Sequence, residues 1–260
     1  MSQPPVIFEI KEEIAMIKLN RPDNRNSMTV EVMNAFREAV GSVQQNNKLR
    51  CLIITGSGST FCAGADFGSG FSAAENRLPN ETLMNFYKPF LEVRRIEIPV
   101  IAAMNGHAIG GGIGLALVCD IRIAAKDAKY GATFARLGLH SGMAISYILP
   151  RLVGPPAACE LLFTGRLING KEAAEMGIAN YAVDSDRVLD KAWGLAQEIA
   201  SCAPAAVRMM KSSIYRGLGW DTDNAAEFEA HCQSRTFETE DAGEGIKALL
   251  EKREPVFKNK

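Results

Sequence analysis

Two short runs of the chain, LRCLIITGS (49–57) and PVIAAMNG (99–106), are almost wholly apolar and pass directly into glycine-bearing turns. Runs of this length are too short for a helix. Apolar side chains on both faces suit a strand covered on both sides, which is the habit of parallel sheets. Parallel neighbours need crossover connections, so the chain is constrained to an α/β design with helices laid over the sheet.

The segments around these runs supply the helices. TVEVMNAFREAVGSV (29–43) places Val32, Met33, Phe36, Val40 and Val43 at helical spacing. ETLMNFYKPFLEVRRI (81–96) and GGIGLALVC (111–119) also read as helices, and DIRIAA (120–125) as another strand. VIFEIKEEIAMIKLN (6–20) reads as two strands around the polar turn Lys11-Glu12-Glu13. The pattern is a succession of strand–strand–helix units. Past Pro155 strands thin out. PPAACELLFTG opens with prolines suited to a first helical turn, and NGKEAAEMG offers Asn169 as N-cap, Glu172 three residues on and Gly177 as a stop. Residues 187–201, 204–217, 221–236 and 241–252 read as amphipathic helices. No low-complexity linker interrupts the chain, so a boundary near residue 200, dividing 1–200 from 201–260, is a soft one.

Composition narrows the classes. The 260 residues are 47% hydrophobic and 23% charged with a net charge of −1, which suits a globular chain and not a dedicated nucleic-acid binder. No stretch approaches the ~20 apolar residues of a membrane span. MSQPPVIFEI lacks the basic and apolar regions of a secretory signal, so a cytoplasmic location is expected. The six cysteines form no C-x-x-C pair and the three histidines no H-E-x-x-H pattern. Free thiols, and neither a disulfide framework nor a metal site, are therefore expected.

The stretch NGHAIGGGIGLALVCD (105–120) sets three consecutive glycines between a strand and a helix. Such glycines either let helix and strand pack closely or expose backbone N–H groups to a ligand. A second small-residue turn, Ala63-Gly64-Ala65-Asp66, follows the strand at 49–57. One N–H from each turn converging on one oxygen makes an oxyanion hole, a device worth on the order of 3–4 kcal/mol per donor in a transition state.

FCAGAD (61–66) and NGHAIGGGIGLALVCDIRIA (105–124) resemble the two signature segments of the crotonase superfamily, the enoyl-CoA hydratase/isomerase family. LNRPDNRNSMT (19–29), LGLHSGMAISYILPRLVG (137–154) and EKREPVFK (251–258) resemble further family segments, in family order and spacing. The resemblance implies a crotonase-type spiral of ββα units and a C-terminal helical region that builds homotrimers, often paired into hexamers. It also implies a bound acyl-CoA thioester, with coenzyme A as part of the substrate and no separate cofactor. The thioester oxygen would be held by the N–H groups of Ala65 and Gly111. Arg25, Ser27 and Met28 would lie along the pantetheine and phosphates. Ala63 and Phe67 would flank the pantetheine and adenine, Asp66 would brace its turn, and Lys252 would reach the phosphates.

The family's two water-activating glutamates align with Gly114 and Phe134 of this chain. Neither can transfer a proton, so the resemblance carries the oxyanion hole without the usual hydration machinery. His140, in GLHSG, is the leading substitute because histidine titrates near neutrality. Tyr87 is a second pocket candidate, and Phe134 would make the pocket drier and suited to a bulky or conjugated acyl group. Two functions stay in view: an acyl-CoA conversion through an enolate, such as isomerisation, and a catalytically silent acyl-CoA-binding scaffold. A dinucleotide or serine-hydrolase reading finds no G-x-G-x-x-G, G-x-x-x-x-G-K-[ST] or G-x-S-x-G in the chain.

Overall fold

The computed structural model describes residues 3–66 and 78–260. The two apolar runs form strands β3 (Cys51–Gly56) and β5 (Val100–Met104), each buried at every position. They lie parallel in a sheet ordered β1-β2-β3-β5-β7-β10, with Leu52 opposite Val100. Here β1 is Val6–Lys11, β2 Ile14–Leu19, β7 Ile121–Ala125 and β10 Tyr181–Val183. Only β1 and β2 run antiparallel, joined through the expected polar turn. A second sheet, ordered β4-β6-β8-β9, collects Thr60–Cys62, His107–Ile109, Lys129–Gly131 and Ile168–Asn169.

The two sheets explain the spiral. Three strands of the first sheet are each followed after a sharp corner by a three-residue strand of the second: β3 by β4, β5 by β6, β7 by β8. Successive corners stack, and Asn105 ties two of them together. Its side-chain oxygen accepts from Gly56 N–H (3.1 Å) and its Nδ2 donates to the Gly58 carbonyl (2.8 Å). Gly106 completes the corner, because a Cβ there would overlap the Ser59 carbonyl.

Helix α1 (Val30–Gln45) starts where Thr29 accepts from Val32 N–H, and it buries Val32, Phe36, Val40 and Val43 as the helical spacing requires. Helix α2 (Pro79–Leu91) packs on it, with the Phe36 and Phe90 rings 5.0 Å apart. The helix expected over 81–96 therefore ends sooner. Glu92–Arg95 tightens into a 3-10 turn before β5. The short α3 (Gly111–Leu117) is buried along its length. Helices α4 (Ile145–Val153), α5 (Pro155–Thr164) and α6 (Gly170–Glu175) follow, α6 opened by the expected Asn169–Glu172 capping box with both hydrogen bonds at 2.9 Å.

Helix α7 (Val188–Ala200) lays Val188, Ala192 and Ala196 across β3, β5 and β7. Then come α8 (Pro204–Gly217), α9 (Thr222–Phe237) and α10 (Glu240–Glu251), close to the expected bounds. A buried ion pair anchors α8 to the sheet. Lys211 Nζ donates to Asp120 Oδ2 (2.7 Å) and to the Ile98 carbonyl (2.9 Å), while Tyr215 Oη donates to Asp120 Oδ1 (2.6 Å). Burial and the adjacent Asp120 carboxylate push the Tyr215 phenol well above its usual value, so it remains a donor. Burial likewise pushes the thiols of Cys51, Cys62 and Cys119 up to about 12, and all six cysteines are free. No helix among the described residues is long and apolar enough to cross a membrane.

Candidate functional site

The second sheet brings the two glycine-bearing turns together. Strands β4 and β6 are parallel neighbours, Cys62 opposite Ala108, so the turns that leave them run side by side. Gly64 (φ +85°) and Gly110 (φ +56°) take backbone conformations that disfavour any side chain, and this lets the turns touch. A Cβ on Gly64 would lie 2.6 Å from Ile109 O and 2.9 Å from Gly111 N.

The first turn is also pinned from its other side by Met28. Met28 N–H donates to Gly64 O (2.8 Å) and Asp66 N–H donates to Met28 O (3.4 Å), forming a parallel bridge centred on Ala65. Backbone groups of an extended segment alternate in direction. Those flanking Ala65 face Met28, so the Ala65 N–H faces the opposite side, where Gly111 lies. A Cβ on Gly111 would fall 3.8 Å from Ala65 N. Gly111 opens α3, where N–H groups lack intrahelical partners. Neither amide donates to a described residue.

Both residues border a cavity of about 530 Å³. Met28, Ala63 and Ile109 line it beside them. Leu83, Phe86 and Tyr87 of α2 form one wall, and Phe134, Leu137, Leu139, His140 and Met143 the other. No carboxylate and no lysine or arginine stands among these described walls. Two amide dipoles beside an apolar space suit an oxygen that gathers negative charge during a reaction, since low polarity strengthens each bond to it.

The two titratable side chains of the lining are Tyr87 and His140. The Tyr87 ring rests against bare backbone, since a Cβ on Gly142 would sit 2.5 Å from its hydroxyl. Burial raises the phenol above its ordinary value, so at neutral pH it is a donor. His140 is exposed at the cavity edge, with Nδ1 2.8 Å from the Ser141 carbonyl. A carbonyl only accepts, so Nδ1 carries the hydrogen of this contact and Nε2 is the ring nitrogen left for a substrate.

The remaining expected residues divide by position. Met28, Ala63, Ala65, Tyr87, Gly111, Phe134 and His140 surround the cavity. Gly114 does not: a Cβ there would lie 2.5 Å from Met143 Cβ, so Met143 stands between it and the space. Ser27 is buried, its hydroxyl donating to the Asn24 carbonyl (2.7 Å), and Asp66 Oδ2 accepts from Asn24 Nδ2 (3.2 Å). Both brace the turn that carries Met28. Arg25 is exposed in a left-handed conformation, its carbonyl taking the Ala63 N–H (3.1 Å). Lys252 caps α10, exposed and apart from the cavity lining. Phe67 lies outside the described residues. His107 supports a strand, with Nδ1 accepting from Lys129 N–H (2.9 Å). Among the described residues no group of three or more His, Cys, Asp or Glu side chains could hold a metal ion.

Leu83, Phe86, Ile109, Thr133, Leu137, Leu139 and Met143 also line the cavity, though no motif in the sequence pointed to them. Leu137 and Leu139 flank Gly138 and stay largely exposed, at 57% and 47%. Met143 carried no signal, since only tertiary packing seats it on α3.

A family model described as enoyl-CoA hydratase/isomerase matches residues 9–260. The chain is 39% identical over 263 residues to the crotonyl-CoA hydratase of Syntrophomonas wolfei, covering all of both chains. It is 35% identical to the short-chain-enoyl-CoA hydratase of Clostridium acetobutylicum, covering 98% of each. Among solved structures, the enoyl-CoA hydratase of Bacillus anthracis superposes with a TM-score of 0.93 at 33% identity, over 98% of this chain and all of that one.

Proposed function

The chain belongs to the enoyl-CoA hydratase/isomerase family, and from that premise we propose a specific chemistry for its cavity. It is an enzyme of the lyase or isomerase type that acts on acyl-CoA thioesters. In our reading the thioester carbonyl oxygen accepts from the Ala65 and Gly111 N–H groups. Loss of a proton from the α-carbon turns that carbonyl into an enolate, which the two fixed dipoles stabilise without reorienting. His140 Nε2 takes the α-proton and returns it at the γ-carbon, so a 3,4 double bond moves to the 2,3 position. No water enters the balance.

One observation carries this reading. Two amides with no partner among the described residues meet at a cavity whose described walls hold no carboxylate. Hydration requires an activated water, and the resemblance of GGGIG and YGATFARLGL to the family's motifs implies that its two glutamate positions fall on Gly114 and Phe134. The Phe134 ring favours a bulky or conjugated acyl group. Coenzyme A arrives within the substrate, Arg25 pairing with a phosphate and Lys252 reaching another.

The test is a panel of 2-enoyl, 3-enoyl and 3-hydroxyacyl thioesters run against the unmodified protein and His140→Ala. Isomerisation of a bulky 3-enoyl thioester is expected to lead, and His140→Ala to lower its kcat about a hundredfold with KM within a few-fold. Undiminished turnover in the variant removes His140 from the mechanism. Crotonyl-CoA hydration faster than any isomerisation overturns the reaction assignment.

We further propose that residues 201–260 mediate self-association and that the protein works in the cytoplasm, where its free thiols persist. Met210 and Ile214 of α8, Leu218 just after it, and Leu249 and Leu250 of α10 are more than half exposed, an unusual apolar load for a solvated surface. Light scattering at micromolar concentration is expected to give three or six times the 28.2 kDa chain mass. A monomer would remove the trimer assignment.

A further inference from the structure

Met143 is the residue of the cavity wall whose placement is hardest to explain by packing alone. It is 1% exposed. Its backbone is left-handed (φ +56°), and so is that of Ala144 after it (φ +56°). Side-chain-bearing residues pay for that conformation, and a pair in succession persists only where the surroundings hold it. What holds it is the seat on Gly114. The Cβ position of Gly114 lies 2.5 Å from Met143 Cβ, 3.1 Å from its Cγ and 3.4 Å from Ile145 Cδ1. The methionine thus occupies space that a side chain at residue 114 would otherwise take.

A second, smaller apolar void of about 20 Å³ is lined by Ile113, Tyr130, Ala132, Ile145 and Leu149. Its walls interleave in sequence with those of the large cavity. Gly111 borders the cavity and Ile113 the void. Thr133 borders the cavity and Ala132 the void. Met143 borders the cavity and Ile145 the void. Met143, which lines the cavity, and Ile145, which lines the void, both pack on the Cβ position of Gly114.

We infer that Met143 is the floor of the acyl pocket and sets how long an acyl chain this enzyme accepts. The inference rests on the acyl-CoA reading of the cavity given above. An unbranched thioether suits the role, because it fills an irregular gap without a polar group for the chain to desolvate. Shortening it vacates the apolar place above Gly114 and gives an acyl tail space to enter. One methylene accommodated or refused in such a pocket changes kcat/KM by about tenfold or more.

The experiment measures binding and turnover of straight-chain acyl-CoA and enoyl-CoA thioesters of four to twelve carbons, with calorimetry supplying a readout that needs no catalysis. Met143→Ala is expected to raise the ratio of long-chain to four-carbon kcat/KM by about tenfold or more, with a matching shift in Kd. Met143→Phe is expected to move both the other way, and it decides the question if the alanine variant fails to fold. Unchanged length profiles in the folded variants overturn the role of Met143 while leaving the acyl-CoA reading intact. If the unmodified protein binds no acyl-CoA of any length, it is that reading which fails, and the role of Met143 fails with it.

Discussion

Gly64→Ala is expected to lower kcat about 10²–10³-fold, the loss seen when an oxyanion donor is removed, in a chain that still folds. The new methyl would lie 2.6 Å from Ile109 O and 2.9 Å from Gly111 N. Both are backbone atoms that cannot rotate aside, so the two turns must separate. Gly111 N is one of the proposed donors, and its displacement takes the dipole off the developing charge. The backbone adds its own cost. Gly64 sits at φ +85°, where a side chain costs roughly 1–2 kcal/mol. Steady-state kinetics on the best substrate of the panel, with circular dichroism to verify folding, makes the measurement. Gly41→Ala is the control. Gly41 lies inside α1 with nothing within 4 Å of its Cβ position, so the same added methyl is expected to stabilise by about 0.5–1 kcal/mol and to spare activity. A folded Gly64→Ala protein with normal kcat would show that the Gly111 amide takes no part in the reaction.

Lys211→Met is expected to cost about 3–5 kcal/mol of unfolding free energy, because it strands a carboxylate out of water. Lys211 and Asp120 side chains are only 9% and 15% exposed, and their contact is 2.7 Å. The methionine also abandons the Ile98 carbonyl, which accepts from Nζ at 2.9 Å. Asp120 would keep Tyr215 Oη and Val100 N–H (2.7 Å) as donors, but no cation at contact distance in its own pair. Urea unfolding at one fixed protein concentration gives the number, since self-association would otherwise shift the midpoint. Adding Asp120→Asn removes the stranded charge, so the double variant is expected to recover at least half of the loss. A single variant within ~1 kcal/mol of the parent would mean that the pair contributes no more than an exposed one.

These two sites differ in how far the sequence announced them. Gly64 stands in FCAGAD, and the turn was legible because small residues after a buried strand have few other uses. Lys211 lies in a helix whose amphipathic pattern was plain, yet nothing there tells a buried lysine from a solvated one. Its partner is 91 residues away in sequence. The short strands β4, β6, β8 and β10 were equally silent. Three residues are fewer than a periodic pattern needs, and pairing with neighbours already in place holds them. Helix α4 hid for a related reason: it opens from a left-handed Ala144 with no side-chain cap and carries Pro150 within it, so although Gly154 and Pro155 mark its end, the usual start signal is missing.

Local chemistry in the chain determined the parallel buried strands, the helices from residue 155 onward, the glycine turns and the family they mark. Each of these follows from residues within about fifteen positions of one another, where periodicity, capping and turn preference act. Tertiary structure alone decided that the Ala65 and Gly111 amides border one cavity, that Met143 fills the place above Gly114, and that Asp120 holds α8 to the sheet. Those outcomes depend on which surfaces meet after crossovers of tens of residues, and close packing, unlike periodicity, leaves no regular mark along the chain.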